Sequence, residues 1–304
     1  VSDARGNTIR EIVAPEGRRQ PGVRTMCWDM RYEPIEAARS AAASPAAGAP
    51  AGGGSGGARG GGRAEIPGVP TPLPEPGYLP FNPCDLSEGQ AGGGGFGGFG
   101  GSGDAGPHVT PGLYHVSLVV NGTTVDTKPV NVVKDPAIEL SGVERKAYDE
   151  MLLSLHQLQG RGNQVATHLD ALYAQVVEID GTIGDMEDVP ASLKDDFSGF
   201  QEAFDALRVK FGVPIPAGGG GGRRFGRRGG GDPANVLARA STLKSNIMAF
   251  WEAPSGALVS QFYETTVLLD SAIQEAEELL DRARDLAGTL EEYDVTLEVP
   301  ASGG

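Results

Sequence analysis

The chain has 304 residues, a formal net charge of -15, 47 glycines and 22 prolines. That length is enough for two domains, yet glycine and proline cluster so strongly that about a third of the chain is too poor in apolar side chains to join a core. No apolar run approaches the roughly 18 residues that cross a bilayer, and a charge of about -2 over residues 1–136 against about -13 over 137–304 disfavours nucleic acid and anionic lipid as general partners.

The first residue is Val1, inside a strand pattern, so the chain reads as a processed or partial product whose upstream part is missing, with no signal peptide in view. Ser2 to Ile12 (SDARGNTIREI) has the form of two short strands around a Gly6-Asn7 turn. Val23 to Tyr32 (VRTMCWDMRY) and Thr110 to Val120 (TPGLYHVSLVV) read as halves of one β-sandwich. In the second half, Pro111 and Gly112 make a turn, after which Leu113, His115, Ser117 and Val119 alternate with Tyr114, Val116, Leu118 and Val120 at the period of a strand. Asn121-Gly122 tolerates positive φ, and Thr123 to Val133 is expected to return as the second strand of a hairpin.

Between the two halves, residues 35–107 form a low-complexity insertion of three kinds: an Ala/Gly/Ser stretch, a proline-spaced stretch from Ile66 to Pro83, and a glycine-rich stretch with Phe96 and Phe99. Regular prolines favour extended polyproline II geometry, which can lie along a neighbouring surface. Ile66, Val69, Leu73, Tyr78, Leu79 and Phe81 are too many apolar side chains for a solvated linker, so the segment is predicted to be an arm that docks on a partner or on its own sandwich. Cys27 and Cys84 either join in a disulfide that pins this insertion or remain thiols.

After Asp135-Pro136 the period changes. Apolar residues from Tyr148 to Ile179 recur at three- and four-residue spacing, which predicts one long helix over 143–179, kinked at Gly160 and Gly162. Pro190 and Ser192 open a second helix with a phenylalanine stripe closed by Gly212 and Pro214; Asp232-Pro233 starts a third over 234–251, and Pro254-Ser255 begins a fourth. Four helices with short or glycine-filled connections predict an antiparallel bundle, and the alternating tail Tyr293 to Val299 predicts a terminal strand. The fold class is therefore α+β and multidomain: a β-sandwich over 1–136 with its insertion, then an acidic four-helix bundle over 137–304 with a Gly/Arg loop at 217–231.

The segments SDARGNTIREI, PGVRTMCWDMRYEP and VTPGLYHVSLVVNG together resemble the immunoglobulin-like domain of flagellar hook-capping proteins. They are more similar still to the C-terminal region of bacterial sortilin-like proteins with BNR-repeat β-propellers, where a glycine-rich insertion and a helical segment follow in the same order. The resemblance implies an immunoglobulin-like sandwich in an exported protein, with Trp28 as its buried residue, Asp29 serving nearby backbone donors, and Gly112 and Tyr114 as structural positions. It also implies a module that is not itself catalytic.

Catalytic signals are poor. The string Gly53-Gly54-Ser55-Gly56-Gly57 matches a nucleophile elbow without the strand and helix that give that motif meaning, and His156 and His168 lie too far apart on one helix to share a metal. The acidic groups around Asp185 and Glu275 lack calcium-loop spacing. Arg223, Arg224, Arg227 and Arg228 around Phe225 form a basic loop that either binds an acidic protein surface or lipid headgroups or is a solvated connector with no role. No cofactor, metal or nucleic acid is expected. The expectation is a non-enzymatic structural or interaction protein, periplasmic or secreted, that docks as an accessory or scaffold subunit on a larger membrane-associated complex. The alternative is an accessory C-terminal module of a secreted BNR-propeller glycosidase-like or peptidase-like protein, binding substrate or orienting domains.

Overall fold

The computed structural model describes residues 1–14, 26–35, 104–213 and 234–300. Its first compact unit comprises Val1–Glu11, Asp29–Ala42 and Gly95–Gly304, and its second Ile12–Trp28 and Ala43–Gly94. The first unit is α+β: a three-stranded antiparallel sheet followed by four packed helices.

The sheet has the order β1 (Ser2–Asp3), β2 (Gly112–Val120), β3 (Thr123–Val132). Asn121 and Gly122 take φ of 50° and 77°, the left-handed pair that a two-residue hairpin turn needs. Tyr114 faces Asp3 on one side and Val130 on the other, and it is buried. Farther along, Leu118, Val119, Val120 and Val125 are exposed, so the tip of the hairpin extends beyond the packed part of the unit. Two positions of β3 offer no N–H to an added strand. Pro129 has no N–H to offer, and Thr127, two residues away on the same side of the strand, gives its N–H to Asp126 Oδ1 at 2.8 Å.

No second sheet facing this one is found among the described residues, which show a single three-stranded sheet and not a sandwich of two. Residues 30–35 make only a short ladder with 104–109: Val109 N–H to Met30 O at 2.8 Å, Tyr32 N–H to Pro107 O at 3.0 Å and Ile35 N–H to Asp104 O at 2.8 Å. Prolines 34 and 107 and the tight approach at Gly106 keep this strap from becoming a regular strand pair.

The helices are α1 (Gly142–Asp185), α2 (Ala191–Lys210), α3 (Val236–Met248) and α4 (Gly256–Leu290). Three of the four begin where the sequence supplies a side-chain cap, and α2 follows Pro190 without one. Ser141 and Glu144 form a reciprocal capping box on α1, Asn235 accepts from Ala238 N–H on α3, and Ser255 accepts from Leu258 N–H on α4. The third helix thus starts at Asn235, because its amide oxygen meets the free N–H groups; Asp232 lies outside the described residues.

Four helices make three columns. Tyr148 reaches Ile247 and Gly162 meets Leu237, so α3 runs antiparallel to the first half of α1. Tyr173 stacks on Phe204 and Lys194 reaches the Gly184 carbonyl, so α2 runs antiparallel to its second half. At 20 and 13 residues, α2 and α3 together nearly match the 35 residues of α4. Arg161 pairs with Asp270 and Gly162 faces Leu269, and farther on His168 and Arg284 line one cleft; α4 is therefore parallel to α1. The expectation of an all-antiparallel bundle is corrected here. One column is interrupted, and its two pieces descend between two long ascending helices.

Helix α1 continues through Gly160 and Gly162, and the second glycine has a packing role. A Cβ on Gly162 would lie 2.9 Å from Leu237 Cδ1 and 3.3 Å from Leu269 Cδ1, so glycine lets α3 and α4 approach together. The core is continuous from Tyr148 to Leu297 and is dominated by leucine, with Phe197, Phe200 and Phe204 at its centre. Among the described residues the expected terminal strand pairs with no other strand. Its alternation instead buries Val295 and Leu297 against the helices, while Gln175 exchanges two hydrogen bonds with the Glu298 backbone.

The described residues on either side of each low-complexity segment lie close together. Ile35 bonds Asp104 across the insertion, and a Cβ on Gly212 would come 2.2 Å from Asn235 Nδ2 across the Gly/Arg loop. Deleting residues 217–231 should therefore cost no stability in chemical denaturation and gain up to about 1 kcal/mol from the shorter loop. A loss above about 2 kcal/mol, well outside the ordinary surface range, would show that the loop packs on the helices.

Candidate functional site

The polar centre of the first unit lies where the strap meets the helices. His156 on α1 places Nε2 2.9 Å from the Glu33 carbonyl and Nδ1 2.9 Å from Lys244 Nζ on α3. An ammonium has no acceptor and a carbonyl has no donor, so one tautomer satisfies both: Nε2–H donates to Glu33 and Nδ1 accepts from Lys244. One turn farther along α1, the buried Gln159 donates from Nε2 to Asp104 Oδ1 at 3.4 Å. Arg10 closes the outer side by reaching the Tyr32 carbonyl and Glu33 Oε1.

Lys244 has no exposed surface, and burial lowers its pKa to about 8, against the opposing charge of Asp104. Burial, and then the Lys244 cation, lower His156 to about 4. At neutral pH the pair is thus a buried ammonium donating to a neutral imidazole. Nothing in this arrangement supplies a nucleophile with access to a substrate.

A second cluster fixes the other end of the strap. His108 lies with its ring centroid 5.3 Å from Trp251, Tyr148 lies 5.7 Å from the same indole, and the Arg145 guanidinium sits over it at 4.7 Å. Arg145 is tied to Asp149 at 2.8 Å, with both side chains largely buried. Tyr148 donates to the Ile247 carbonyl, and burial pushes its pKa up to about 12. Arg31 donates to the Gly106 carbonyl at 3.0 Å. Burial, then the Arg31 charge, lower the pKa of His108.

A cleft of about 290 Å³ opens between α1 and α4, lined by Arg161, His168, Glu277, Asp281 and Arg284. Arg161 pairs with Asp270 at 3.4 Å and Arg284 pairs with Asp281, so its cations already have carboxylate partners. Among the described residues no three histidine, cysteine or carboxylate side chains converge as metal ligands, and no helix is long and apolar enough to cross a membrane.

Of the residues singled out in the sequence, Tyr114 is buried and donates from its hydroxyl to the Thr110 carbonyl at 2.7 Å, and Gly112 opens β2 opposite Val132. Asp29 accepts the Arg31 N–H at 3.2 Å, and Trp28 is half-buried. Cys27 is disulfide-bonded, and Cys84 lies outside the described residues. The arm residues Ile66, Val69, Leu73, Tyr78, Leu79 and Phe81, with Phe96 and Phe99, also lie outside them, as do Arg223, Arg224, Phe225, Arg227 and Arg228.

The sequence alone left His156 as a histidine too far from His168 to share a metal and gave Lys244 and Gln159 no role. One signal was available: both lysine and glutamine fall on the apolar stripes of their helices, where a polar residue needs a partner. The chain matches no family model, no curated protein and no solved structure.

Proposed function

We propose that this chain is a non-enzymatic, extracytoplasmic structural or interaction protein, an accessory or scaffold subunit that docks on a larger protein complex. A helical frame carries two low-complexity segments, and the arm with Ile66, Val69, Leu73, Tyr78, Leu79 and Phe81 makes the contact. Phe96 and Phe99, and the arginines 223, 224, 227 and 228 around Phe225, add to it. The observation that carries this reading is the closure of both segments at their bases, Ile35 on Asp104 and Gly212 beside Asn235. Such bases let long segments vary without disturbing the core, as binding loops do on a rigid scaffold. Within this reading the β-rich part is an immunoglobulin-like sandwich. The Tyr114 hydroxyl bond to the carbonyl four residues upstream supports it, since β-sandwiches use this tyrosine corner.

The test is native purification of the full chain from its source with cross-linking mass spectrometry. Stoichiometric co-elution with an envelope complex and cross-links from residues 66–83 are expected. Replacing the six arm residues by serine should lower the recovered complex about tenfold, the loss expected for about 1.4 kcal/mol of contact. Elution as a lone chain, or unchanged recovery of the variant, would overturn the proposal.

The exposed Leu118, Val119, Val120 and Val125 on the hairpin favour a second reading. In it the chain is an accessory module of a secreted propeller protein, glycosidase-like or peptidase-like, whose other domain covers these side chains. Solvent protection of the hairpin only within such a longer polypeptide would distinguish the two.

A further inference from the structure

The hairpin leaves one sheet edge without a strand. Asn121 and Gly122 form a two-residue turn, which closes with Val120 and Thr123 bonded to each other. Along β2, Val116, Leu118 and Val120 therefore bond β3, while His115, Ser117 and Val119 turn their N–H and C=O groups to the opposite edge. The Ser117–Thr127 hydroxyl contact at 2.9 Å fits this alternation, since facing side chains come closest where their backbones do not bond each other. On that edge β1 pairs with Tyr114 and His115, and among the described residues no strand lies beside Ser117 or Val119.

An open strand edge of this kind is where another chain pairs. Its side chains are apolar: Leu118, Val119 and Val120 keep 58%, 55% and 48% of their surface exposed. From Val116 to Val125 there is no charged residue, and Asp126 and Lys128 pair with each other at 3.3 Å. The hairpin tip is thus neutral in a chain of net charge -15.

We propose that this edge is a self-association site, at which the strand residues 117–120 of one chain pair antiparallel with the same residues of a second copy about a two-fold axis. The charge pattern selects a second copy. Two chains this acidic repel through their helices, and the neutral tip, which extends beyond the packed part of the unit, is where they approach at least cost. Because β3 lacks an available N–H at Thr127 and Pro129, each copy offers its β2 edge. Like edge meets like edge, so the pairing closes at two chains instead of growing into a fibre.

Sterics set the register. With Leu118 opposite Leu118 of the second copy, that copy's Asn121 would fall on the place beside His115 that Ser2 already fills. With Val119 opposite Val119 the turn clears Ser2, and the two valines exchange two N–H···O=C bonds. Leu118 and Val120 of one copy then lie beside Val120 and Leu118 of the other, on the face that Tyr114 shares. Four residues a side are far fewer than the roughly 20–30 of a lasting interface, so the association is reversible and concentration-dependent.

Sedimentation equilibrium and hydrogen exchange on the full chain test this without the docking partner, and so independently of the function proposed above. At about 0.15 M salt, which screens the repulsion between helices, the weight-average mass should move from that of one chain towards two between about 5 µM and about 300 µM. Exchange at residues 117–120 should slow about threefold over the same range, with 126–132 and α4 unchanged. Leu118→Lys, at an exposed position, should raise the dissociation constant more than about tenfold, while Val119→Thr, which keeps the N–H and the branched shape, should change it less than about threefold. Overturning results are the mass of one chain throughout or association undiminished in Leu118→Lys. Protection of 117–120 already complete where the mass is that of one chain would also overturn it, by placing a segment of the same polypeptide on the edge.

Discussion

Phe200→Ala should lower the unfolding free energy by about 3–5 kcal/mol, read as a shift of the urea midpoint with little change in slope. Phe200 sits in α2 with no exposed surface, between Phe197 and Phe204 at centroid distances of 5.9 and 6.1 Å, with the Arg282 guanidinium over its ring at 6.0 Å. Helix α2 packs on both α1 and α4, so the truncated side chain leaves a void that no single helix can close by shifting. The consequence should be local before it is global. Peptides of residues 191–210 should lose exchange protection first, because α2 spans only half of its column and the break near residue 212 interrupts coupling to α3. Phe250→Ala, which removes a ring with 63% of its surface exposed, should stay within about 0.5 kcal/mol. If the two variants cost the same, the phenylalanine stripe is not the keystone of the core.

Gly106→Ala should cost about 3 kcal/mol, a large penalty for one methyl group. A Cβ at this position would lie 2.1 Å from the Tyr32 carbonyl oxygen and 2.6 Å from its carbon. Both atoms belong to backbone held by the Tyr32 bond to Pro107, so the strap cannot yield without losing that bond. The Arg31 bond to the Gly106 carbonyl would go with it. The expected signature is loss of exchange protection at Tyr32 and Ile35, with the helices intact. Gly160→Ala provides the contrast: no atom lies within 4 Å of its added Cβ inside α1, so it should stabilise by up to about 1 kcal/mol through helix propensity alone. Equal behaviour of the two variants would show that the close approach at Gly106 relaxes freely.

Much of the local structure was legible in the sequence because it depends on neighbours a few residues apart. Asn121-Gly122 specifies a left-handed turn wherever it occurs, and the alternation from Leu113 to Val120 follows from the strand period. The helices were legible for the same reason: Ser141 with Glu144, and Ser255, bond to N–H groups three residues on, and leucines at helical spacing make one buried face.

What only the tertiary structure decided was which faces meet. Period two in Val295 and Leu297 says that one side of the tail is buried, not that the other partner is a strand, and here the partner is helical. Amphipathic spacing likewise does not encode direction, so it could not show that α1 and α4 run parallel with α2 and α3 sharing a column. Gly162 looked like a kink because local chemistry cannot reveal Leu237 and Leu269, each dozens of residues away. The same holds for the strap centre. His156 gains its meaning from Lys244 and Glu33, separated from it by 88 and 123 positions, and the burial and the Lys244 cation that keep its imidazole neutral exist only once the chain has closed.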